Sequence, residues 1–190
     1  MRPAEQNMPG SVSGCQQRPE RLKVWDPVVR VFHWALVGFF TFSFFTGDEW
    51  KSAHILSGYT IGSLVAIRVI WGLFGSEHAR FVNFVHSPAT VLRFLADTAR
   101  MRARRYIGHN PAGGAMVIAL LLAISGIVTT GYMMTTDAYW GVEWVENTHK
   151  TLVYSTLVLI VLHITGVVLA SVEHRENLVR AMITGWKRRS

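Results

Sequence analysis

Four histidines, His33, His54, His149 and His163, fall inside long apolar stretches of the chain. Hydrocarbon disfavours polar side chains, so imidazoles in such stretches are functional candidates by default. His149 and His163 lie fourteen residues apart in one stretch. That is close to four helical turns, so on a helix they share a face about 21 Å apart along its axis. Neutral imidazole is a metal ligand. A tetrahedral zinc site needs four ligands around one point, which histidines at two depths do not offer. Haem iron needs only two axial ligands, one from each side, and imidazole is a usual one. The chemistry indicated is a haem iron held twice, each time between two histidines.

The elements that must position these histidines are visible in the hydropathy. Half of the 190 residues are hydrophobic, with a net charge of +7 and a mean hydropathy of +0.25. Apolar stretches cover roughly residues 28–46, 52–74, 112–134 and 148–172, each near the length of about twenty residues that spans a bilayer. In lipid each must satisfy its own backbone hydrogen bonds as a helix. The remaining polar segments are too short for a second large domain. The expected fold is an all-α integral membrane four-helix bundle over residues 23–190, preceded by a disordered cytoplasmic tail, residues 1–22, rich in Pro, Gly, Ser and Gln.

Arginines and lysines crowd the N-terminal flank, the connection between the second and third stretches, and the C-terminal flank, whereas the other two connections carry only Lys51 and Lys150 beside several acids. That is the positive-inside pattern, placing both termini in the cytoplasm. Nucleic-acid binding is not expected, because these charges are not interleaved with exposed stacking aromatics. Trp25, Trp71 and Trp186 at one face, and Trp50, Trp140 and Trp144 at the other, read as aromatic belts. Cys15 is the single cysteine, so neither an internal disulfide nor a Cys-x-x-Cys-His haem attachment exists. The polar tail has no cleavage-site pattern, and a removed leader is not expected.

Helix direction then pairs the histidines by depth. The first helix runs outward and the second and fourth inward, which puts His33 level with His163 and His54 level with His149. Two bis-histidine haems b stacked across the bundle fit that arrangement. Such iron has no free coordination position, so electron transfer is expected rather than oxygen activation. His54, Gly58 and Gly62 recur every four residues and leave one helix face without bulk, either as room for the macrocycle or as a helix-packing motif. Arg68, fourteen residues after His54, either meets a haem propionate or snorkels to the interface. Ser87-Pro88 followed by Val91, Leu92, Phe94 and Leu95 predicts a helix lying on the membrane surface, and residues 174–186 show a similar pattern. His78, His86 and His174 read as solvated or headgroup-facing, and His109 as a turn or cap residue.

With these residues in place, the chain resembles the bacterial di-haem cytochrome b561 proteins and the related b-type cytochrome subunits of nickel-dependent hydrogenases. Phe32-His33-Trp34 is similar to the family's first-helix ligand motif, and His54 with Gly58 and Arg68 to its second-helix pattern. His149-Lys150-Thr151-Leu152 with His163 is similar to its fourth-helix pair. Val24-Trp25-Asp26-Pro27, Gly75-Ser76-Glu77-His78-Ala79-Arg80-Phe81 and Gly108-His109-Asn110-Pro111 look more like the hydrogenase-type branch. The resemblance implies two non-covalent haems b on His33, His54, His149 and His163, and an integral electron carrier in a bacterial inner membrane linking quinone to a periplasmic redox partner. Hydrogenase-linked subunits usually have an additional helix, so the four spans here imply a soluble c-type cytochrome, or quinone alone, as partner. Two rival functions follow from the same residues. One is a superoxide:quinone oxidoreductase, with Lys51 and Lys150 attracting the anion; the other is a haem-free transporter using the histidines as a proton relay.

Overall fold

The computed structural model describes residues 21–23, 26–47, 49–76, 79–100, 102, 104, 106 and 110–188. Among the described residues four helices are long and apolar enough to cross a membrane: α1 (Pro27–Thr46), α2 (Lys51–Phe74), α4 (Pro111–Met133) and α5 (Glu143–Glu173). Between α2 and α4 lies α3 (Pro88–Ala99), and after α5 comes α6 (Leu178–Thr184). Two short strands, β1 (Arg21–Lys23) and β2 (Trp186–Arg188), flank the helices. The fold is the expected all-α bundle with four membrane-spanning candidates. The fourth begins five residues earlier than hydropathy placed it, because Glu143 and Glu146 occupy its first turn, where the helix dipole favours acids.

Local chemistry starts the helices. Asp26, Ser87 and Asn110 cap α1, α3 and α4 through side-chain oxygens that accept from Val29, Thr90 and Gly113 amides, and each cap is followed by proline at the first helical position. The surface helix predicted after Ser87-Pro88 is α3; it buries Phe94 and leaves Leu92 and Leu95 exposed. The pattern read in residues 174–186 corresponds to α6 and the strand beyond it.

The helices pack as two antiparallel hairpins, α1 with α2 and α4 with α5, joined where α2 meets α4. Ile61 and Val65 of α2 meet Leu121 and Ile124 of α4 at that seam, with Phe32, Leu36 and Phe40 of α1 against them. Close backbone approach needs small residues here. A Cβ on Gly62 would lie 2.9 Å from the Val128 side chain, and one on Gly126 would lie 2.9 Å from Leu152. Large apolar side chains such as Phe45, Phe74 and Val161 point away from the bundle, as a hydrocarbon solvent allows.

One end of the bundle gathers both terminal segments. There β1 pairs antiparallel with β2, Arg21 opposite Arg188 and Lys23 opposite Trp186. Arg21 and Leu22, assigned to the tail from composition, thus lie in a strand. Arg30 donates to the Ile183 carbonyl of α6. The segment after α2 folds back between α2 and α4, with the Phe81 ring over Gly72 and the Phe84 backbone against Gly114. Trp71 is not a simple belt residue. Its indole donates to Asp26 at 3.2 Å, and Ser76 donates to the same carboxylate.

Asp26 therefore ties the start of α1 to the end of α2, and its ionisation should be measurable in stability. Burial pushes its carboxyl up, but hydrogen bonds from Ser76, the Val29 amide and Trp71 outweigh this and hold its pKa below the ordinary value. A carboxyl lowered on folding contributes stability that is full at neutral pH and is lost as pH falls through the folded pKa. Asp26→Asn is expected to lower stability near pH 7 by about 1 kcal/mol. The gap to wild type should close once the pH drops well below the ordinary aspartate value of about 4. Thermal unfolding of both proteins across that range checks this, and a gap independent of pH would contradict it.

Candidate functional site

Helix α5 is the element that organises the site. It packs along α4, while no comparable packing joins it to α1 or α2 among the described residues. Across that interval the structure brings His33 of α1 to His163 and His54 of α2 to His149. The ring centroids are 6.5 Å apart in the first pair and 6.3 Å in the second, with interplanar angles of 54° and 75°. A metal ion bound by one nitrogen of each ring, at roughly 2 Å from both, spaces two imidazole centroids by about 6 Å. Both pairs stand at ligation spacing. Among the described residues no group of three or more His, Cys, Asp or Glu side chains could hold an ion. The donors thus come only in twos, which suits a metal whose other ligands belong to a macrocycle.

The second ring nitrogens show which atoms are free. His54 Nδ1 lies 2.8 Å from the Ser43 carbonyl, and His149 Nδ1 lies 3.1 Å from the Ile127 carbonyl. A carbonyl only accepts, so both Nδ1 atoms carry the proton and both Nε2 atoms keep a lone pair for a metal. Hydroxyls reinforce the arrangement: Ser43 Oγ is 3.2 Å from His54 Nδ1, and Thr130 Oγ1 is 3.0 Å from His149 Nδ1. Thr130 also donates to the Gly126 carbonyl at 2.8 Å, leaving its lone pairs to accept from the histidine. Outer partners of this kind orient a ligand and raise its basicity. The other pair differs, since His33 Nδ1 is buried without a hydrogen-bond partner among the described residues.

Small residues make space beside the rings. A Cβ on Gly131 would lie 3.2 Å from His149 Cε1, and one on Gly47 would lie 3.7 Å from His54 Nδ1. Ser43, Gly47, Thr130 and Gly131 were missed from the sequence. Each serves a histidine on another helix, and spacing along one helix carries no trace of that. The two glycines singled out on α2 separate: Gly58 has open space where a side chain would go, whereas Gly62 is pressed against Val128 of α4. Room and close packing are thus both present, at adjacent turns.

Arg68 is inside the protein, 3% exposed, and does not snorkel. Its Nη2 donates to the Ala79 carbonyl at 3.3 Å, its guanidinium lies 4.9 Å from the Phe81 ring centroid, and its Nη1 is buried with no hydrogen-bond partner among the described residues. An orphaned cationic nitrogen and a pair of facing imidazoles fit a ligand with both a metal and carboxylates. The remaining histidines stand apart. His86 donates to the Phe84 carbonyl at 2.8 Å and His174 closes the C-terminus of α5, while His78 and His109 lie outside the described residues. At the opposite end, Lys51 sits 4.2 Å over the Trp140 ring and Lys150 pairs with Glu146 at 2.6 Å, so both lysines invoked for an anionic substrate are engaged.

Comparison with known proteins adds an independent line. A family model described as prokaryotic cytochrome b561 matches residues 24–185. A probable Ni/Fe-hydrogenase B-type cytochrome subunit from Bradyrhizobium diazoefficiens is 21% identical over 161 residues, covering 71% of this chain and 65% of that relative. Proteins of the same description from Rhodobacter capsulatus and Rhizobium leguminosarum bv. viciae are each 23% identical, covering 89% and 85% of this chain and 82% and 87% of their own lengths. The chain thus spans slightly under two thirds of the Bradyrhizobium protein and most of the other two. No solved structure matches it.

Proposed function

The chain belongs to the prokaryotic cytochrome b561 family, and from that premise we propose that it binds two haems b and links quinone to a redox partner across the bacterial inner membrane. It is a multi-pass membrane b-type cytochrome, an electron carrier. What supports the finer reading is one observation: two histidine pairs at ligation spacing, set about 21 Å apart along α5 by the fourteen residues between His149 and His163.

His33 with His163 would hold one haem and His54 with His149 the other. Bound haem b supplies a one-electron iron couple whose potential follows its axial ligands, hydrogen bonding and burial. The chain's own residues do the rest. With two histidines at each site, these residues would hold the group for electron carriage rather than oxygen chemistry. The Ser43 and Ile127 carbonyls lock the Nδ1 protons of His54 and His149, so those rings present Nε2 without rearranging. Gly58 leaves room for the macrocycle beside His54, Gly62 lets α2 approach α4, and Arg68 offers a buried cation to a propionate.

The basic terminal end faces the cytoplasm in this reading, so the His33 and His163 site lies toward the inner leaflet and the His54 and His149 site toward the periplasm. A c-type cytochrome is the proposed periplasmic partner. The description of the relatives makes a Ni/Fe hydrogenase the alternative. Pyridine haemochrome quantification of the purified protein is expected to give two haems b per chain. A stoichiometry of one would remove one of the two sites, and a colourless protein would favour the proton-relay transporter. Quinol-dependent reduction of the haem b absorbance in proteoliposomes tests the substrate separately.

A further inference from the structure

Three buried side-chain nitrogens lack a hydrogen-bond partner among the described residues: Arg30 Nε, His33 Nδ1 and Arg68 Nη1. All three belong to the terminal half of the bundle. Arg30 precedes His33 by three residues on α1, so their side chains are neighbours on one helix face. The Ile183 carbonyl engages Arg30 Nη2 and draws that side chain toward α6, the element that follows the α5 segment bearing His163. Arg68 comes fourteen residues after His54, as His163 comes fourteen after His149, on helices running in the same direction. Arg68 is therefore level with His163.

Neither arginine forms an ion pair within 4 Å among the described residues; Asp26, the carboxylate at this end, acts on Arg68 only at longer range and already accepts from Val29, Trp71 and Ser76. A guanidinium does not discharge by losing its proton. Two cations that each keep a buried nitrogen with no hydrogen-bond partner among the described residues have donors left for anions from outside the chain. We propose that Arg30 and Arg68 bind the two carboxylates of the haem seated between His33 and His163, so that its acidic edge faces the terminal end of the bundle. This rests on the two-haem reading and adds Arg30 to the residues that serve it. The pair at the other end has its Nδ1 atoms satisfied by the chain, and no arginine accompanies it on α2 or α5 at that level.

The test compares haem b with its dimethyl ester, in which both carboxylates are blocked, during reconstitution of the extracted full-length protein. Wild type should take up two haems, and its His33 and His163 site should discriminate against the ester by about tenfold or more. In the Arg30→Gln, Arg68→Gln double variant that discrimination should fall to near unity, with native haem content dropping from two toward one. Arg30→Lys and Arg68→Lys, which keep the charge, should retain the second haem and report that the fold survives. Discrimination unchanged in the double variant, or haem lost from the His54 and His149 site instead, would overturn the proposal while leaving the two-haem reading intact. Wild-type protein that takes up no haem would overturn the reading beneath it.

Discussion

Replacing His163 with alanine is expected to leave one haem b per chain instead of two and to stop electron passage across the bilayer. His33 and His163 approach each other from α1 and α5, with ring centroids 6.5 Å apart, and no third histidine, cysteine or carboxylate joins them among the described residues. Under the two-haem proposal, loss of either ring would remove half of the protein's hold on that iron. Outer-partner substitutions at metal sites typically cost 10–100-fold in affinity, and loss of an axial ligand should exceed that. His149→Ala should empty the other site and spare this one. Haem quantification with low-spin electron paramagnetic resonance resolves which signal disappears. Two haems retained in both variants would exclude His163 and His149 as ligands.

Removing the cofactor should have an effect nearly as large on the protein itself. The α1–α2 and α4–α5 hairpins are held by direct packing, and α2 meets α4 through Ile61, Val65, Leu121 and Ile124. Among the described residues helix α5 has no comparable seam with α1 or α2. Haem bound between the histidines would join α5 to both, so haem-free protein should lose that restraint while each hairpin persists. A ligand that binds only the folded state adds about 4 kcal/mol at a free concentration 1,000 times its dissociation constant. The melting temperature should fall accordingly on extraction. Spin labels at the exposed positions Val31 and Ile164 should show a broadened distance distribution, whereas a pair spanning α4 and α5 should not. Equal melting temperatures and unchanged distances would show that protein packing alone sets the bundle.

Much of this architecture is written locally in the chain. The four spans follow from runs of apolar residues, which register the solvent each segment meets irrespective of its neighbours. Asp26-Pro27, Ser87-Pro88 and Asn110-Pro111 mark three helix starts for a reason internal to a single turn. The levels of His33, His54, His149 and His163 follow from counting residues at a constant rise along helices whose direction alternates. The amphipathic character of α3 is equally local, because its periodicity lies within twelve residues.

What only the folded chain decided concerns groups on different helices. Periodicity gives the rotation of a helix about its own axis but not its rotation against a neighbour. It therefore could not say that Gly58 faces open space and Gly62 meets Val128. The carbonyls of Ser43 and Ile127 carry no side-chain signature, and nothing in residue identity marks them as partners of His54 and His149. Arg68 reads the same whether it snorkels or is buried; the return of the segment bearing Ala79 and Phe81 over α2 settled its burial. The strand pairing of residues 21–23 with 186–188 joins segments about 165 positions apart, a distance over which short polar sequences retain no pairing information.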